Sequence, residues 1–326
     1  ERAPLPDAPS LSDLVRYASL APNSHNTQAW RFVPGGGGMT ILPDLSRRTP
    51  IVDPDDHHLY ASLGAAAETL SISARARGLG GAVSVETGAE GPVLKVELAG
   101  GAPEAGAMFD AIPLRQTTRT IYDGAPLPPG LADELLAEVR AAGAEALWLP
   151  PETATGAFAQ LSATAVTAQF ESPRYLAELK SWLRFSRDAA LRTGDGLYAA
   201  ALGSPVVPDL IGPLAFDATV DSLAEADRLV IEIGSSSGIA VIVAPTDTPA
   251  GWIAAGRAAQ RFMLLATASG LHCAYVNAAL EQPDLRAEMA ALLAIAAGRP
   301  SLALRIGHGE SLPFSLRRPV AEVLSL

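Results

Sequence analysis

Apolar and polar positions follow two different periods along this chain, and together they predict an α+β protein. Residues 10–20 have the pattern of an apolar helix that begins at Ser10 or Ser12 and ends before Pro22, because the residue before a proline avoids the α region. Short apolar runs predict strands instead. These runs lie at residues 30–33, 39–42, 239–243 and 301–307.

One helical pattern occurs twice. Residues 64–82 align with residues 256–274 at a constant offset of 192 positions, and eight of the nineteen aligned residues are identical. Both segments end in Gly-Leu and continue into β-like runs. We interpret the chain as two tandem copies of one α+β unit, residues 1–110 and 111–326, which form an intramolecular pseudo-dimer.

A dense row of hydrogen-bonding side chains follows the first predicted helix. Asparagine, serine and glutamine side chains suit the edge of a planar heterocycle, because they can hydrogen-bond to its polar atoms. The alternative is an ordinary Asn/Ser turn whose side chains satisfy their own backbone. The residues of this row are Pro22, Asn23, Ser24, Asn26 and Gln28.

A second segment, further along the chain, has the chemistry of a phosphate site. It contains Arg115, Gln116, Thr117 and Arg119. A guanidinium can give a phosphate two parallel charge-assisted hydrogen bonds, and a nearby hydroxyl can reach a third oxygen.

A third candidate is the basic pair Arg317 and Arg318, which follows the predicted strand at residues 301–307. By itself, a pair of arginines near a C-terminus indicates surface charge, with Arg318 either solvated or paired with Glu322. A role at a phosphate is only implied by the resemblance given next, and it favours Arg317 over Arg318.

Together these segments resemble the FMN-dependent nitroreductase superfamily, and their fusion in one chain resembles its Acg-like branch. The resemblance implies a nitroreductase fold in two copies, with residues 22–28 and the phosphate-binding arginines on different copies. It implies that the strand end at Asn277 and Ala278 presents a backbone N–H to N5 of the flavin. No catalytic acid or base is expected, because the flavin carries the hydride chemistry. The cofactor-binding residues implied are Pro22, Asn23, Ser24, Asn26, Gln28, Arg115, Gln116, Thr117, Arg119, Asn277, Ala278, Arg317 and Arg318.

Residues 169–218 resemble the lid that covers the flavin in the Acg-like branch. The resemblance implies an oxidoreductase that passes hydride from NAD(P)H through FMN to a small acceptor, such as a nitroaromatic or a quinone. Each cofactor motif occurs once, so we expect one FMN per chain. Two alternatives stay open, namely an FMN-sequestering protein with a closed lid and a flavin-dependent tailoring oxidase. The sequence identifies neither the acceptor nor the preferred nicotinamide.

Charge and composition limit the classes of partner that this protein is expected to bind. The net charge of −11 argues against a nucleic-acid or anionic-membrane surface, and no apolar run is long enough to span a bilayer. The single cysteine, Cys273, excludes an internal disulfide and is expected to be a packed thiol. We expect a cytoplasmic monomer or weak homodimer. The alternative of an export leader removed ahead of residue 1 stays open.

Three further segments have simpler interpretations. The run Asp53-Pro54-Asp55-Asp56-His57-His58 is a candidate metal site, but its position ahead of a predicted helix at residues 59–79 favours a helix N-cap with acids in the first turn. Residues 35–38 are predicted to form a hairpin loop, because no helix follows them. His25 and His308 are candidates to approach the site, without an assigned role.

Overall fold

The computed structural model describes residues 1–89 and 91–325, and it confirms the α+β class. Two four-stranded sheets and two long helices form most of the core. Leu326, at the end of the second predicted copy, lies outside the described residues. Within these residues, no helix has both the length and the apolar character needed to cross a membrane.

The N-terminal part starts with helix α1 (Leu11–Ala18), which is capped as predicted. The Ser10 hydroxyl accepts the backbone N–H of Asp13, and the Asp13 carboxylate accepts the backbone N–H of Ser10, which is a capping box. Gly36 and Gly37 adopt positive φ angles of 58° and 75° in the predicted hairpin loop. The elements that follow α1 are β1 (Trp30–Gly35), β2 (Gly38–Pro43), α2 (His57–Ala76), β3 (Val83–Gly88), β4 (Gly91–Glu97) and α3 (Ala107–Ala111).

The C-terminal part has a similar order of elements, with a long helical insertion after its first strand. The insertion, residues 150–237, extends beyond the predicted lid on both sides. The elements are α4 (Leu131–Ala141), β5 (Glu145–Leu149), α5 (Pro151–Thr153), α6 (Ala159–Phe170), α7 (Pro173–Trp182), β6 (Leu183–Arg184), α8 (Arg187–Thr193), β7 (Leu197–Tyr198), α9 (Gly212–Thr219), α10 (Ser222–Gly234), β8 (Gly238–Ala244), α11 (Pro249–Ala268), β9 (His272–Tyr275), α12 (Ala278–Glu281), α13 (Pro283–Leu292), β10 (Arg299–Gly307) and α14 (Val320–Val323).

The two four-stranded sheets have the same topology. Their strand orders are β1-β2-β4-β3 and β5-β8-β10-β9, and neighbouring strands are antiparallel in both. In each sheet, two strands precede the long helix in the sequence and two follow it. All residues of β8 and β10 are buried, which explains their continuous apolar runs. Cys273 on β9 is also buried, and burial raises the pKa of its thiol to about 12, as expected of a packed cysteine.

The two long helices match in length and in how they end. α2 and α11 each contain 20 residues, and their first residues are 192 positions apart. Each is followed by a glycine in the left-handed region, Gly78 (φ 69°) and Gly270 (φ 77°). In each turn a leucine N–H donates at 2.9 Å to a helix carbonyl, that of Ala74 or Ala266. The repeat in the sequence therefore corresponds to two helices with the same C-cap.

α2 and α11 approach each other closely at two glycines. A Cβ on Gly64 would lie 2.2 Å from the carbonyl oxygen of Ile253, and a Cβ on Gly256 would lie 1.9 Å from that of Ala61. Ala61 and Ile253 are equivalent positions of the two helices, so the contact is reciprocal, as at a two-fold interface. This crossing lies in the hydrophobic core that joins the two parts of the chain.

Candidate functional site

Two adjoining cavities lie between the two parts of the chain. The larger has a volume of about 630 Å³ and is lined by the predicted binding loop, α2, α11, the segment after β9 and the insertion. The smaller has a volume of about 60 Å³ and is lined by the N-terminal, 115–119 and C-terminal segments. Both cavities are lined by Pro22, Asn23, His25, Arg119 and Leu197.

Arg115 lines the smaller cavity and has only 3% of its surface exposed. Its Nη2 donates to the carbonyl of Leu20 at 2.9 Å. Its Nε and Nη1 are buried and have no hydrogen-bond partner among the described residues. Burial lowers the pKa of this guanidinium. Unpaired N–H groups on a buried cation are costly unless an anion accepts them, so the geometry is that of an anion pocket.

Arg317 brings a second guanidinium to this pocket. It donates through Nε to the carbonyl of Ser19 at 2.5 Å and through Nη1 to Oδ1 of Asn26 at 3.0 Å. Burial, and then repulsion from Arg2 and Arg115, lowers its pKa to about 9. The charge of the cluster therefore favours a bound anion.

Arg2 is a third guanidinium in the smaller cavity, and sequence reasoning missed it. It donates to the carbonyl of Pro113 at 2.6 Å and lies 3.7 Å from the centroid of the Phe314 ring. Burial and repulsion from Arg115 lower its pKa to about 9, and the nearby Glu1 acts in the opposite direction. No local motif marks Arg2, because its partners are far away in the sequence.

The rest of the predicted phosphate segment lies around the same cavity. Gln116 lines it, and its Oε1 is buried without a hydrogen-bond partner in the part of the chain that the structure describes. Thr117 also lines it and pairs through the backbone with Cys273. Arg119 lines both cavities, and burial lowers its pKa. The structure therefore brings all four predicted residues to one pocket.

The predicted binding loop is held in a strained backbone conformation. His25, Asn26 and Gln28 have φ angles of 46°, 52° and 53°, which non-glycine residues rarely adopt. Asn23 supports the loop by accepting the backbone N–H of Gln28 at 2.8 Å. The loop residues that line the larger cavity are Pro22, Asn23, Ser24 and His25.

Asn26 and Gln28 are not among the residues that line the larger cavity, and Asn26 lines the smaller one. Nδ2 of Asn26 donates to the carbonyl of Gly196 at 3.0 Å, and its Oδ1 accepts from the C-terminal guanidinium described above. Nε2 of Gln28 donates to the carbonyl of Gly194 at 2.9 Å, and its Oε1 accepts the backbone N–H of Arg318 at 2.8 Å. Their hydrogen-bonding groups are used to hold the insertion and the C-terminal segment.

Arg318 and His308 also lie away from the site. Arg318 pairs with Glu322 at 3.1 Å and lines neither cavity. This position favours the alternative for Arg318, a charge pair with Glu322. Of the two arginines, Arg317 lines the smaller cavity. His308 is exposed, whereas His25 lines both cavities and burial lowers its pKa to about 4.

Asn277 and Ala278 line the larger cavity where β9 gives way to α12. Oδ1 of Asn277 accepts the backbone N–H of Ala303 at 2.8 Å, which fixes this turn. The backbone N–H groups of Asn277 and Ala278 donate to no residue within 1–89 and 91–325. They are therefore available to a ligand.

Asp53, His57 and His58 form a buried cluster whose ligand atoms lie within 4.8 Å of one another. The Asp53 carboxylate accepts the backbone N–H groups of His58 and Leu59 at 3.1 and 2.9 Å. It also lies 3.0 Å from Nδ1 of His57. Both carboxylate oxygens of Asp53 thus accept backbone N–H groups at the start of α2, as a capping side chain does. The N-cap residue itself, Asp56, makes no side-chain cap hydrogen bond, and α2 has no acid in its first turn, so the expected acids precede the helix instead. His58 additionally lines the larger cavity, and burial lowers its pKa to about 3.

The insertion lines the larger cavity and is fastened beside it. Asp195 pairs with Arg184 at 2.7 Å and also with Arg47 from the first part of the chain. Trp182 lies against Arg47, with 5.3 Å between the guanidinium carbon and the ring centroid. The insertion's aromatic residues on the cavity wall are Phe170, Tyr175, Phe185 and Phe216.

A buried cluster of arginines therefore lies beside a large cavity with aromatic side chains on its wall, in an α+β fold. Comparison with known proteins confirms the resemblance to nitroreductases. The chain is 28% identical to "Putative NAD(P)H nitroreductase Rv3131" of Mycobacterium tuberculosis (strain H37Rv), over 98% of this chain and 92% of that protein. The corresponding protein of strain CDC 1551 matches equally. No protein-family model matches the chain.

Solved structures of similar proteins include three from bacteria. A nitroreductase-like family protein from Bacillus cereus is 17% identical, with 68% of this chain and 97% of that chain covered and a TM-score of 0.37. The FMN-dependent nitroreductase NfnB from Mycobacterium smegmatis in complex with NADPH is 14% identical, covering 63% and 88%, with a TM-score of 0.37. The FMN- and NADPH-dependent nitroreductase NfnB from Sphigopyxis sp. strain HMH is 16% identical, covering 68% and 99%, with a TM-score of 0.41.

Proposed function

We propose that this protein is an FMN-binding oxidoreductase of the nitroreductase type, which passes hydride from NAD(P)H through FMN to a small acceptor. The observation that carries the proposal is Arg115, a buried guanidinium with two unpaired nitrogens in the smaller cavity. A phosphate is the anion that suits such a pocket, because it can accept several charge-assisted hydrogen bonds at once. The name of the M. tuberculosis relative supports the same activity.

The pocket residues fit the phosphate end of FMN. Arg2, Arg115 and Arg317 surround a space of about 60 Å³ from three separate segments. Gln116 and Thr117 add neutral hydrogen-bonding groups to the same wall. Their task is to hold the cofactor through its phosphate and ribityl chain, so riboflavin, which has no phosphate, is expected to bind more weakly.

The wall at Asn277 and Ala278 fits the ring end of FMN. Their free backbone N–H groups are donors of the kind that a flavin nitrogen accepts. FMN, when bound, supplies the hydride chemistry. The residues of this chain orient the ring, exclude water and select what reaches the exposed face.

The acceptor we propose is a flat aromatic compound, such as a quinone or a nitroaromatic. The insertion contributes Phe170, Tyr175, Phe185 and Phe216 to the larger cavity. Aromatic side chains favour stacked or edge-to-face contact with such a molecule. A charged or strongly hydrated acceptor would lose solvation on this surface.

One observation favours FMN sequestration as a second candidate. Gln28 and Asn26 bond directly to Gly194 and Gly196 of the insertion, so the insertion is tied to the loop beside the cofactor. If the insertion opens too slowly for NAD(P)H to enter, FMN is held without turnover.

We also propose that the chain arose by duplication, with copies at residues 1–110 and 111–326 and one FMN per chain. Shared strand order and the reciprocal Gly64 and Gly256 contact support this proposal. The arginine motif and the binding loop each occur once in the sequence, which supports a single site.

The test is to saturate the purified protein with FMN, remove the excess and count flavin against protein by absorbance. NADPH or NADH is then added without oxygen, and the loss of the flavin's visible absorbance is followed. One FMN per chain with rapid bleaching supports the oxidoreductase. Retention of FMN without bleaching supports sequestration, and failure to retain FMN contradicts both functions.

A further inference from the structure

Glu281 is an acid on the wall of the larger cavity, one turn beyond the free N–H groups of Asn277 and Ala278. Its side chain is 15% exposed. Oε2 accepts a hydrogen bond from Nε2 of Gln169 at 2.5 Å. Oε1 makes no hydrogen bond among the described residues, and the nearest histidine nitrogen, Nδ1 of His58, is 3.8 Å away. One carboxyl oxygen is therefore fixed, and the other remains available.

The groups around Glu281 favour its neutral form. Burial raises the pKa of Glu281 to about 7, and the Asp53 carboxylate acts in the same direction. His57 and the hydrogen bond from Gln169 act in the opposite direction. Burial keeps His58 neutral by lowering its pKa to about 3. Tyr175 on α7 also interacts electrostatically with this carboxyl, and burial raises the pKa of its hydroxyl.

The hydrogen bond from Gln169 also decides which oxygen carries the proton. Oε2 accepts an N–H, so its lone pair is used and it is the poorer place for a proton. In the acid form the proton is therefore on Oε1, the oxygen without a protein partner. An acid held in this way can donate into the cavity.

We propose that Glu281 donates the proton that accompanies hydride transfer to the acceptor, which makes the acceptor a compound whose reduced oxygen must be protonated, such as a quinone. This rests on the proposed function. In the overall balance, the hydride lost by NAD(P)H gives the quinone two electrons and the hydrogen of one O–H group, and a proton is needed for the other O–H group. The O–H bond of Glu281 breaks and an O–H bond of the hydroquinone forms. The Glu281 carboxylate afterwards regains a proton from water.

The first experiment compares Glu281→Gln with wild-type protein, both loaded with FMN and reduced anaerobically by NADPH. Menadione is then added as the quinone and ferricyanide as an acceptor that takes an electron without a proton. We expect Glu281→Gln to reduce menadione about 10²-fold more slowly, the lower end of what a general acid contributes. Its rate with ferricyanide and its FMN affinity should be unchanged.

The pH dependence adds a second requirement. The wild-type rate with menadione should fall as pH rises through about 7, because the carboxyl group loses its proton. The rate of Glu281→Gln should not follow this profile. Glu288→Gln, an exposed acid on the neighbouring helix α13, is the matched control and should behave as wild type.

Infrared difference spectroscopy tests the protonation without turnover. The FMN-loaded protein should show a protonated-carboxyl carbonyl band that titrates near pH 7 and is missing in Glu281→Gln. Gln169→Met removes the N–H donor to Oε2, so its band should titrate at higher pH. Equal menadione rates in wild type and Glu281→Gln, or a band that survives in Glu281→Gln, would overturn the proposal. Wild-type protein that fails to bind or reduce FMN would instead contradict the proposed function.

Discussion

The side-chain amide of Gln28 donates to the carbonyl of Gly194 at 2.9 Å, and this bond joins the binding loop to the insertion that lines the larger cavity. The same amide accepts the backbone N–H of Arg318 at 2.8 Å. Gln28 is completely buried. One side chain therefore connects the loop, the insertion and the C-terminal segment, although these lie far apart in the sequence.

Replacing Gln28 with leucine should loosen this junction. The substitution leaves the Gly194 carbonyl and the Arg318 N–H unpaired, which costs about 1–3 kcal/mol of unfolding free energy for each buried group. Urea denaturation measures the loss, and limited proteolysis should show faster cleavage near Gly194. Gln160→Leu, at an exposed position of α6, is the control. Equal stability and equal cleavage in the two variants would contradict the role of Gln28.

Replacing Arg115 with alanine should weaken FMN binding by about 1.5–3 kcal/mol, the range for a hydrogen bond to a charged group. Fluorescence titration with FMN and with riboflavin measures this. Riboflavin binding should change little, because it lacks the phosphate. Arg318→Ala is the control, since its guanidinium pairs with Glu322 outside both cavities. The anion-pocket assignment is wrong if Arg115→Ala weakens both flavins equally.

Replacing Arg2 with alanine should have a smaller effect on FMN, about 0.5–1.5 kcal/mol. Its guanidinium already donates to the carbonyls of Pro113 and Arg115 at 2.6 and 3.3 Å, so fewer of its N–H groups are left for a ligand. The direct measurement is the rise in melting temperature on adding inorganic phosphate, which should be smaller than in wild type. If phosphate raises the melting temperature of Arg2→Ala as much as that of wild type, Arg2 does not contribute to anion binding.

Alanine at Gly64 or at Gly256 should destabilise the protein by about 1–3 kcal/mol or more, because each new Cβ would lie within 2.2 Å of a backbone carbonyl on the facing helix. The two losses should be similar, since the contact is reciprocal. Gly35→Ala is the control, because a Cβ there meets nothing within 4 Å. Urea denaturation compares the three variants. A large loss at only one of the two crossing glycines would contradict a two-fold-like contact.

Local patterns in the sequence were sufficient to predict several elements. The cap at Ser10, the β1–β2 hairpin and the buried strands β8 and β10 each depend on residues close together in the chain. The repeat predicted α2 and α11 as equivalent helices, because both their periodicity and their Gly-Leu ends are local signals. The sequence also predicted that Arg115, Gln116, Thr117 and Arg119 lie at one pocket, because all four lie within five consecutive residues.

The roles of individual polar side chains were decided only by the tertiary structure. Asn26 and Gln28 have the residue types of a ligand-binding loop, yet their partners belong to a segment more than 160 positions away. Arg2 reaches the anion pocket from the N-terminal segment and Glu281 reaches the larger cavity from α12. A sequence pattern reports which hydrogen bonds a side chain is able to make. Which of them are taken by the protein, and which are left for a ligand, depends on the distant segments that pack around it.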